Sequence, residues 1–369
     1  MYGAFLFNNV TRTKRVPASD ASSRRKSAPR LIDIARAAGV GIATVNRVLN
    51  ESGKASVSTR EKVILAARQL GARRVMPEVH RGLTRIDFVF ARSQTPFFQR
   101  LQIALTRHVQ CLDRRVVVHQ HAFDPADEEQ IAAFIKKPPH RRNGLILVVH
   151  DTPMLRDAVQ SVIKHAVPVV TLMSDLSDVG SLHYAGINNV QAGRSAGHFL
   201  GSMLPQAGRV LVLSNDLSYR AHRDRTHGFI SVLSQRFAHL ECLPVVQIRD
   251  DADQAFHAME AELRVDKGSP LLGIYNSGAG SVGIAQALRK HGRQAVWIGH
   301  ELTDEHRSYL IDGTMNLVID QDPDGQILSG MQFLLHANKW LDTAPAVRPT
   351  DFRLYCAENI THQSYLPVN

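Results

Sequence analysis

From Ile86 to Ile319 short apolar runs recur with amphipathic stretches between them, and few architectures accept that pattern. The runs are Ile86–Phe90, Val116–His119, Leu145–Val149, Pro168–Leu172, Val210–Leu213, Val245–Ile248, Leu271–Tyr275, Val296–Gly299 and Leu317–Ile319. Most of the spacers are roughly 12–18 residues long with helical periodicity, so each run reads as a strand and each spacer as a crossover helix. That alternation predicts parallel sheets with helices on both faces. About nine or ten strands over some 280 residues suit two α/β lobes better than one.

The remaining composition removes several classes. A length of 369 residues suggests two or three domains, and 44% apolar with 21% charged residues is ordinary for a globular chain. The longest apolar runs, such as Gly144–Val149, are far too short to cross a bilayer, so no membrane association is expected. An apolar patch at Phe5, Leu6 and Phe7 has no basic residue before it and no long apolar region after it, which argues against a secretory signal. Cys111, Cys242 and Cys356 are widely separated and lack metal-ligand spacing, so they read as free thiols in a reducing cytoplasm, and no metal is expected.

Charge divides the chain. Residues 1–85 carry 17 Lys and Arg against 5 Asp and Glu, a net of +12, while the other 284 carry 27 against 29, a net of −2. A cationic module for a polyanion is joined to a nearly neutral body. Residues 1–29 are basic and aperiodic, as in a disordered arm. Leu31, Ile34, Ala35 and Ala38 then share one helical face, and Val45, Val48 and Leu49 form a second short stripe. Ser58 and Thr59 can cap a third helix with Val63, Ala66, Ala67 and Leu70 inside, and Gly71 lies where a C-cap belongs. Pro77 and Gly82 break a basic stretch at 72–85, which reads as a linker.

The spacing Ala35-x3-Gly39-x5-Val45 fits a helix-turn-helix: a small residue at the helix crossing, a glycine for positive φ in the turn, and a valine plugging the gap. The whole run Leu31–Asn50, LIDIARAAGVGIATVNRVLN, followed by Val57-Ser-Thr-Arg-Glu-Lys-Val63, resembles the headpiece of the lactose-repressor family of bacterial transcription regulators. The resemblance implies double-stranded operator DNA as partner. It makes Ile42–Leu49 the recognition helix, with Ile42, Ala43 and Arg47 facing base edges and Thr44 and Asn50 holding phosphates. Asn46 suits adenine, Arg47 a guanine, and Ile42 and Ala43 thymine methyls. A core contact is the alternative for Ile42. Gly41 and Asn46 replace the family's usual serines, and without a serine at 41 a helix cap is lost. In the family the linker forms a hinge helix on DNA; Pro77 and Leu83 sit near the expected places, but Gly82 disfavours helix.

The body resembles periplasmic sugar-binding proteins and the effector domains of lactose-repressor relatives, in which two lobes close over a ligand at the carboxyl ends of the strands. Thr95-Pro-Phe97-Phe98 looks like their N-P-F-F turn, whose aromatics stack on a sugar. Arg225-x-x-Gly228-Phe229 matches R-x-x-G-[FW]; Asn276, Glu301 and Gln321 match ligand positions at strand ends. Ser277 and Glu301 stand where the family has Asp, and Ser174-Asp175 replaces the Asp-Arg of pentose binders, so pentose specificity does not carry over. Arg225 and Glu301 together leave the site near neutral. A phosphorylated ligand would need another cation, for which Arg220 and Arg223 are the candidates, so an unphosphorylated sugar, polyol or sugar derivative is expected.

One motif points elsewhere. Gly278-Ala-Gly280-Ser-Val-Gly283 between strand and helix, with Glu301 about twenty residues on, resembles a dinucleotide-binding fingerprint and would suit an NAD(P)-dependent oxidoreductase. It lies deep in the second lobe with no catalytic constellation, so no enzyme activity and no cofactor is expected. A sugar-binding module without a DNA role would lack the basic headpiece. The expectation is therefore an all-α headpiece at 30–71, a hinge at 72–85 and a two-lobed α/β body of doubly wound parallel sheets at 86–369. One lobe takes about 86–186 and 320–345, the other about 187–319 and 346–369. Function follows as a cytoplasmic, nucleoid-associated, homodimeric regulator, read as a repressor, controlled by a small sugar-like effector. The tail after Ala357 has no leucine heptad for tetramerisation.

Overall fold

The computed structural model describes residues 29–50, 55–72, 82–180, 182–264, 268–345, 349–360 and 364. The basic arm through residue 28, the linker at 73–81 and most of the tail's end lie outside the described residues. Gly82–Asn369 forms a compact unit separate from Met1–Arg81.

In the smaller unit, α1 (Leu31–Ala38), α2 (Ile42–Leu49) and α3 (Val57–Gln69) enclose Ile34, Ala35, Val45, Val48, Val63 and Ala67. Gly39 takes φ +65° and ends α1, as the turn requires. No side chain caps α2 at Gly41. The cap of α3 is Ser56, not Ser58 or Thr59: Ser56 has the extended backbone of a cap, and its Oγ accepts from the Thr59 N–H at 3.2 Å.

The body begins with β1 (Thr84–Ala91), α4 (Pro96–Gln110), β2 (Val116–Phe123), α5 (Glu128–Lys136), β3 (Gly144–Val148), α6 (Pro153–Lys164), β4 (Val169–Leu172) and β5 (His183–Ala185). These strands form a parallel sheet in the order β2-β1-β3-β4-β5, the first lobe. The chain then builds α7 (Asn189–Met203), β6 (Gly208–Ser214), α8 (Arg220–Arg236), β7 (Leu240–Cys242), β8 (Val246–Gln247), α9 (Ala252–Leu263), β9 (Leu271–Asn276), α10 (Ser281–His291), β10 (Val296–His300), α11 (Asp304–Ile311) and β11 (Leu317–Asp320). With the late β12 (Arg353–Tyr355), these strands make the second sheet, β12-β11-β10-β9-β6-β7, with β8 also on β6 and only β12 antiparallel. Between β11 and β12 the chain returns to the first lobe as α12 (Pro323–Ala337), whose Ile327, Met331 and Leu334 join Phe88, Phe98 and Leu101 in one core.

All nine expected strands are present. The sequence reading omitted β5, β7 and β12, which have three residues each, too few to show periodicity. Two helices cross unusually closely because glycines face each other. A Cβ on Gly193 of α7 would lie 2.0 Å from the Arg225 carbonyl, and one on Gly228 of α8 would lie 2.3 Å from the Val190 carbonyl. That contact brings the start of α7 against the arginine of α8.

Candidate DNA surface and effector cleft

Helix α2 presents an exposed face. Val45, Val48 and Leu49 are buried, whereas Ala43, Asn46 and Arg47 are exposed and Thr44 is half-buried. Ile42 is 47% exposed, which removes the core contact as its role. Asn50 ends the helix, and its Nδ2 donates to Oδ1 of Asn46 at 2.7 Å, fixing which way that amide faces.

In the body, loops at the carboxyl ends of both sheets enclose a cleft of about 850 Å³. The first lobe contributes the turn into α4. Phe97 and Phe98 line the cleft as a T-shaped pair, ring centroids 5.7 Å apart, while also sealing the lobe's core. They offer apolar walls with fixed geometry.

The second lobe contributes the polar side. Arg225, 2% exposed, donates from Nε to Oδ1 of Asn189 at 2.8 Å and from Nη1 to the Ser277 carbonyl at 2.9 Å. Its Nη2 donates to Oε1 of Gln321, and Gln321 in turn donates from Nε2 to Oε1 of Glu301. Arginine, amide and carboxyl thus form one relay along the cleft floor, from α8 through the crossover after β11 to the end of β10. Glu301 is buried on a left-handed backbone (φ +69°). Burial, reinforced by nearby Asp320, pushes its carboxyl up to about 8, against the pull of Gln321 and Arg225. Next to it, Nδ1–H of His306 donates to the Glu301 carbonyl at 2.5 Å, which leaves Nε2 to accept from Ser281. Burial lowers the imidazole pKa of His306 and of His300, and holds His222 down at about 3.

Five of the six expected ligand residues therefore line the cleft: Phe97, Phe98, Arg225, Glu301 and Gln321. Asn276 does not. Fully buried, it donates to the Ala279 carbonyl and Ser281 Oγ and accepts from the Gly278 N–H, so its amide braces the turn and the adjacent Ser277 faces the space. Arg220 and Arg223 also lie off the cleft lining. Arg220 pairs with Asp175 and Asp224, and Arg223 with Asp151.

Asp250 was not legible in the sequence. Arg249 and Asp250 both adopt positive φ and push into the cleft, a strained pair of the kind that collects at functional sites. Asp250 Oδ1 accepts from the Ala279 N–H at 2.7 Å, and burial raises its carboxyl to about 6. Its neighbour Asp251 caps α9, and nothing in the sequence marks Asp250 beside it. The same contact explains the glycine fingerprint. Gly280 makes the positive-φ turn, while a Cβ on Gly283 would lie 1.8 Å from the Ala252 carbonyl, so that glycine serves the packing of α10 on α9. The turn amide that would meet a pyrophosphate already holds a carboxylate.

Two parallel-sheet lobes with an enclosed cleft at their strand ends define a periplasmic-binding-type ligand domain. Residues 86–338 match the model of the periplasmic binding protein domain, and the body belongs to that family. Residues 30–72 match the model described as bacterial regulatory proteins, lacI family, and the chain is a member of that family of DNA-binding transcription regulators. The HTH-type transcriptional regulator DegA of Bacillus subtilis strain 168 is 22% identical over 250 residues, 65% of this chain and 70% of DegA. The sucrose operon repressor of Pediococcus pentosaceus is 26% identical over 181 residues, 44% of this chain and 53% of that protein. A transporter solute-binding protein from Agrobacterium vitis, solved with bound D-fucose, superposes with a TM-score of 0.68 at 16% identity, covering 75% of this chain and 97% of that one. At that identity the likeness establishes the fold. Among the described residues no helix is long and apolar enough to cross a membrane.

Proposed function

We propose that the chain is a cytoplasmic homodimeric repressor that holds a palindromic operator with two headpieces and is controlled by an unphosphorylated sugar or polyol in the cleft. The observation that carries the effector reading is the Arg225–Gln321–Glu301 relay facing the Phe97/Phe98 wall. A pyranose or cyclitol has an apolar face for aromatic rings and a rim of hydroxyls for alternating donors and acceptors. A protonated Glu301 donates to one hydroxyl and Asp250 accepts from another. The relay spans an element of each strand end, so a ligand touching both it and Phe97 favours one closure angle of the lobes. By linkage the effector then changes operator affinity by its differential affinity for the two arrangements. The solute-binding relative with D-fucose and the sucrose operon repressor are consistent with this ligand class.

For DNA, Arg47 donates to a guanine edge, Ile42 and Ala43 pack on thymine methyls, Asn46 reads a neighbouring base, and Thr44 and Asn50 hold phosphates. The units proposed are a headpiece at 30–71, a hinge at 72–85 and an effector body at 86–369. The test is a thermal-shift screen of sugars, polyols, sugar acids and sugar phosphates on the purified chain. A ligand at about 100 times its Kd stabilises the body by roughly 2.7 kcal/mol. The same ligand must change affinity for an operator selected from random duplexes. Phe97→Leu, which keeps the core filled, weakens the shift at least several-fold. A response confined to phosphorylated compounds overturns the ligand class; an undiminished response in both Phe97→Leu and Arg225→Ala overturns the cleft.

A further inference from the structure

The body carries a net negative charge overall, yet one edge of the first lobe is basic. The amino-terminal ends of β1, β2 and β3 lie side by side there: the Thr84 N–H donates to the Arg115 carbonyl at 2.8 Å and the Asn143 N–H to the Arg85 carbonyl at 2.7 Å. This is the end opposite the effector cleft, which the carboxyl ends of the strands form. It gathers Arg85, Arg114, Arg115, Lys136, Lys137 and Arg141. Arg114, Lys136, Lys137 and Arg141 are exposed. Arg115 is tied to Asp113 and lies over Trp340, whose Nε1 donates to Thr84 Oγ1. Among the described residues Lys136, Lys137, Arg114 and Arg141 make no ion pair within 4 Å.

A basic residue at a helix C-terminus complements the helix dipole, and that accounts for Lys136 in the last turn of α5. It accounts equally for Lys137, the C-cap of α5, but not for Arg141 or Arg114, which lie away from any helix end. Nor does it account for how the loop is held. Arg142 is buried beneath it, its Nε 2.8 Å from Oδ2 of the fully buried Asp87, and its two terminal nitrogens donate to the Ile135 and Phe134 carbonyls. His140 donates to the other oxygen of Asp87 at 2.9 Å. The loop from Lys136 to Asn143 is thus pinned from inside by an ion pair at its base, with Lys136, Lys137 and Arg141 left outside. Three cations on a braced loop cost little ordering entropy on meeting a polyanion.

We infer that this amino-terminal edge is a second DNA contact, binding backbone phosphates flanking the operator without reading bases. The chain enters the body at this edge, since β1 begins at Thr84 two residues after Gly82. The headpiece is joined covalently to this edge, so DNA that it holds is tethered to the same molecule. That proximity raises the local phosphate concentration enough for weak contacts to add. The inference rests on the reading that the headpiece holds operator DNA.

The test compares full-length protein with the triple variant Lys136→Gln, Lys137→Gln, Arg141→Gln. A control variant, Arg194→Gln, Arg236→Gln, Arg293→Gln, removes the same charge from exposed positions of the second lobe. Affinity is measured from 50 to 200 mM salt on two probes: a 40-base-pair duplex selected by the wild-type protein and a random-sequence duplex of equal length. Each lost phosphate contact lowers the log–log salt slope by about 0.9, so the first variant loses about 2–3 in slope per protomer, or about 5 for the proposed dimer with both edges engaged. It weakens on both probes by a similar factor and keeps the wild-type order of preference among operator variants, while the control keeps the wild-type slope. Equal slopes for wild type and the first variant overturn the inference but leave the regulator reading intact, and so does an equal loss in the control. Failure of the wild-type protein to select any duplex overturns both.

Discussion

Replacing Glu301 with Gln tests whether the buried carboxyl at the cleft floor is protonated in the folded protein. The side chain is 7% exposed, accepts from Gln321 and lies near Asp320, and its carboxyl is raised from 4.5 to about 8. The folded state therefore binds a proton that the unfolded state releases above pH 4.5. A raised folded-state pKa contributes stability that is complete below the unfolded value and is lost as pH rises towards the folded one. Between pH 6 and pH 8 the loss from this group alone is about 2 kcal/mol. Glutamine keeps the shape and removes the titration. The buried histidines also titrate, but they are common to both proteins and cancel in the difference. The assay is urea unfolding at pH 6, 7 and 8, followed by the fluorescence of Trp297, which is fully buried in the second lobe. The wild-type midpoint falls relative to Glu301→Gln across this range, with m unchanged. Parallel pH profiles for the two proteins refute the protonated carboxyl, and with it a Glu301 hydroxyl donor at neutral pH.

The other expectations are local. Gly283→Ala places a methyl 1.8 Å from the Ala252 carbonyl and forces α10 off α9, costing at least about 2–3 kcal/mol in chemical denaturation; a neutral result refutes the packing role of the fingerprint. Ser56→Ala removes the cap of α3 and costs the headpiece about 1 kcal/mol, while Ser58→Ala changes stability by less than half of that, read by calorimetry of residues 29–72. Arg47→Ala weakens binding to the selected operator by about 1–3 kcal/mol and relaxes preference at one base pair, measured by competition among single-base operator variants. Unchanged affinity there removes α2 as the reading helix.

What the sequence made legible follows from length and repetition. Strands such as β1, β3, β6 and β9 announced themselves through apolar runs that fill the sheet, and the two-residue β8 through the apolar run Val245–Ile248 around it, whereas β5, β7 and β12 stood in no such run. Two of the cleft residues that were legible sit directly after strands, Glu301 after β10 and Gln321 after β11, while Phe97, Phe98 and Arg225 showed through local motifs on α4 and α8. Asn276 sits just as regularly at the end of β9, and position alone could not tell that its amide would turn inward to hold the next loop. Asp250 was invisible for the opposite reason. Its place in the cleft comes from two successive left-handed residues, and neither arginine nor aspartate signals that conformation as glycine would. The glycine fingerprint misled because close helix packing and pyrophosphate binding ask for the same residue, and only a neighbouring carbonyl or carboxylate separates the two.

The return of α12 to the first lobe bears on how the chain is made. Leu334 packs against Gly144 and Ile86 and, with Ile327 and Met331, completes the first lobe's core, yet these residues leave the ribosome after the whole second lobe through β11. The first half of the sequence therefore cannot finish folding as it emerges: one face of its sheet waits only partly covered, by α4, while about 140 further residues are added. The second lobe, lacking only the edge strand β12, has its interior by then. Synthesis from the amino terminus and completion of the core run in opposite orders in this protein. A nascent chain arrested before Pro323 should expose to chaperones the part of this face that α12 covers, around Val170, Leu172 and Ala185, and one arrested past Ala337 should not.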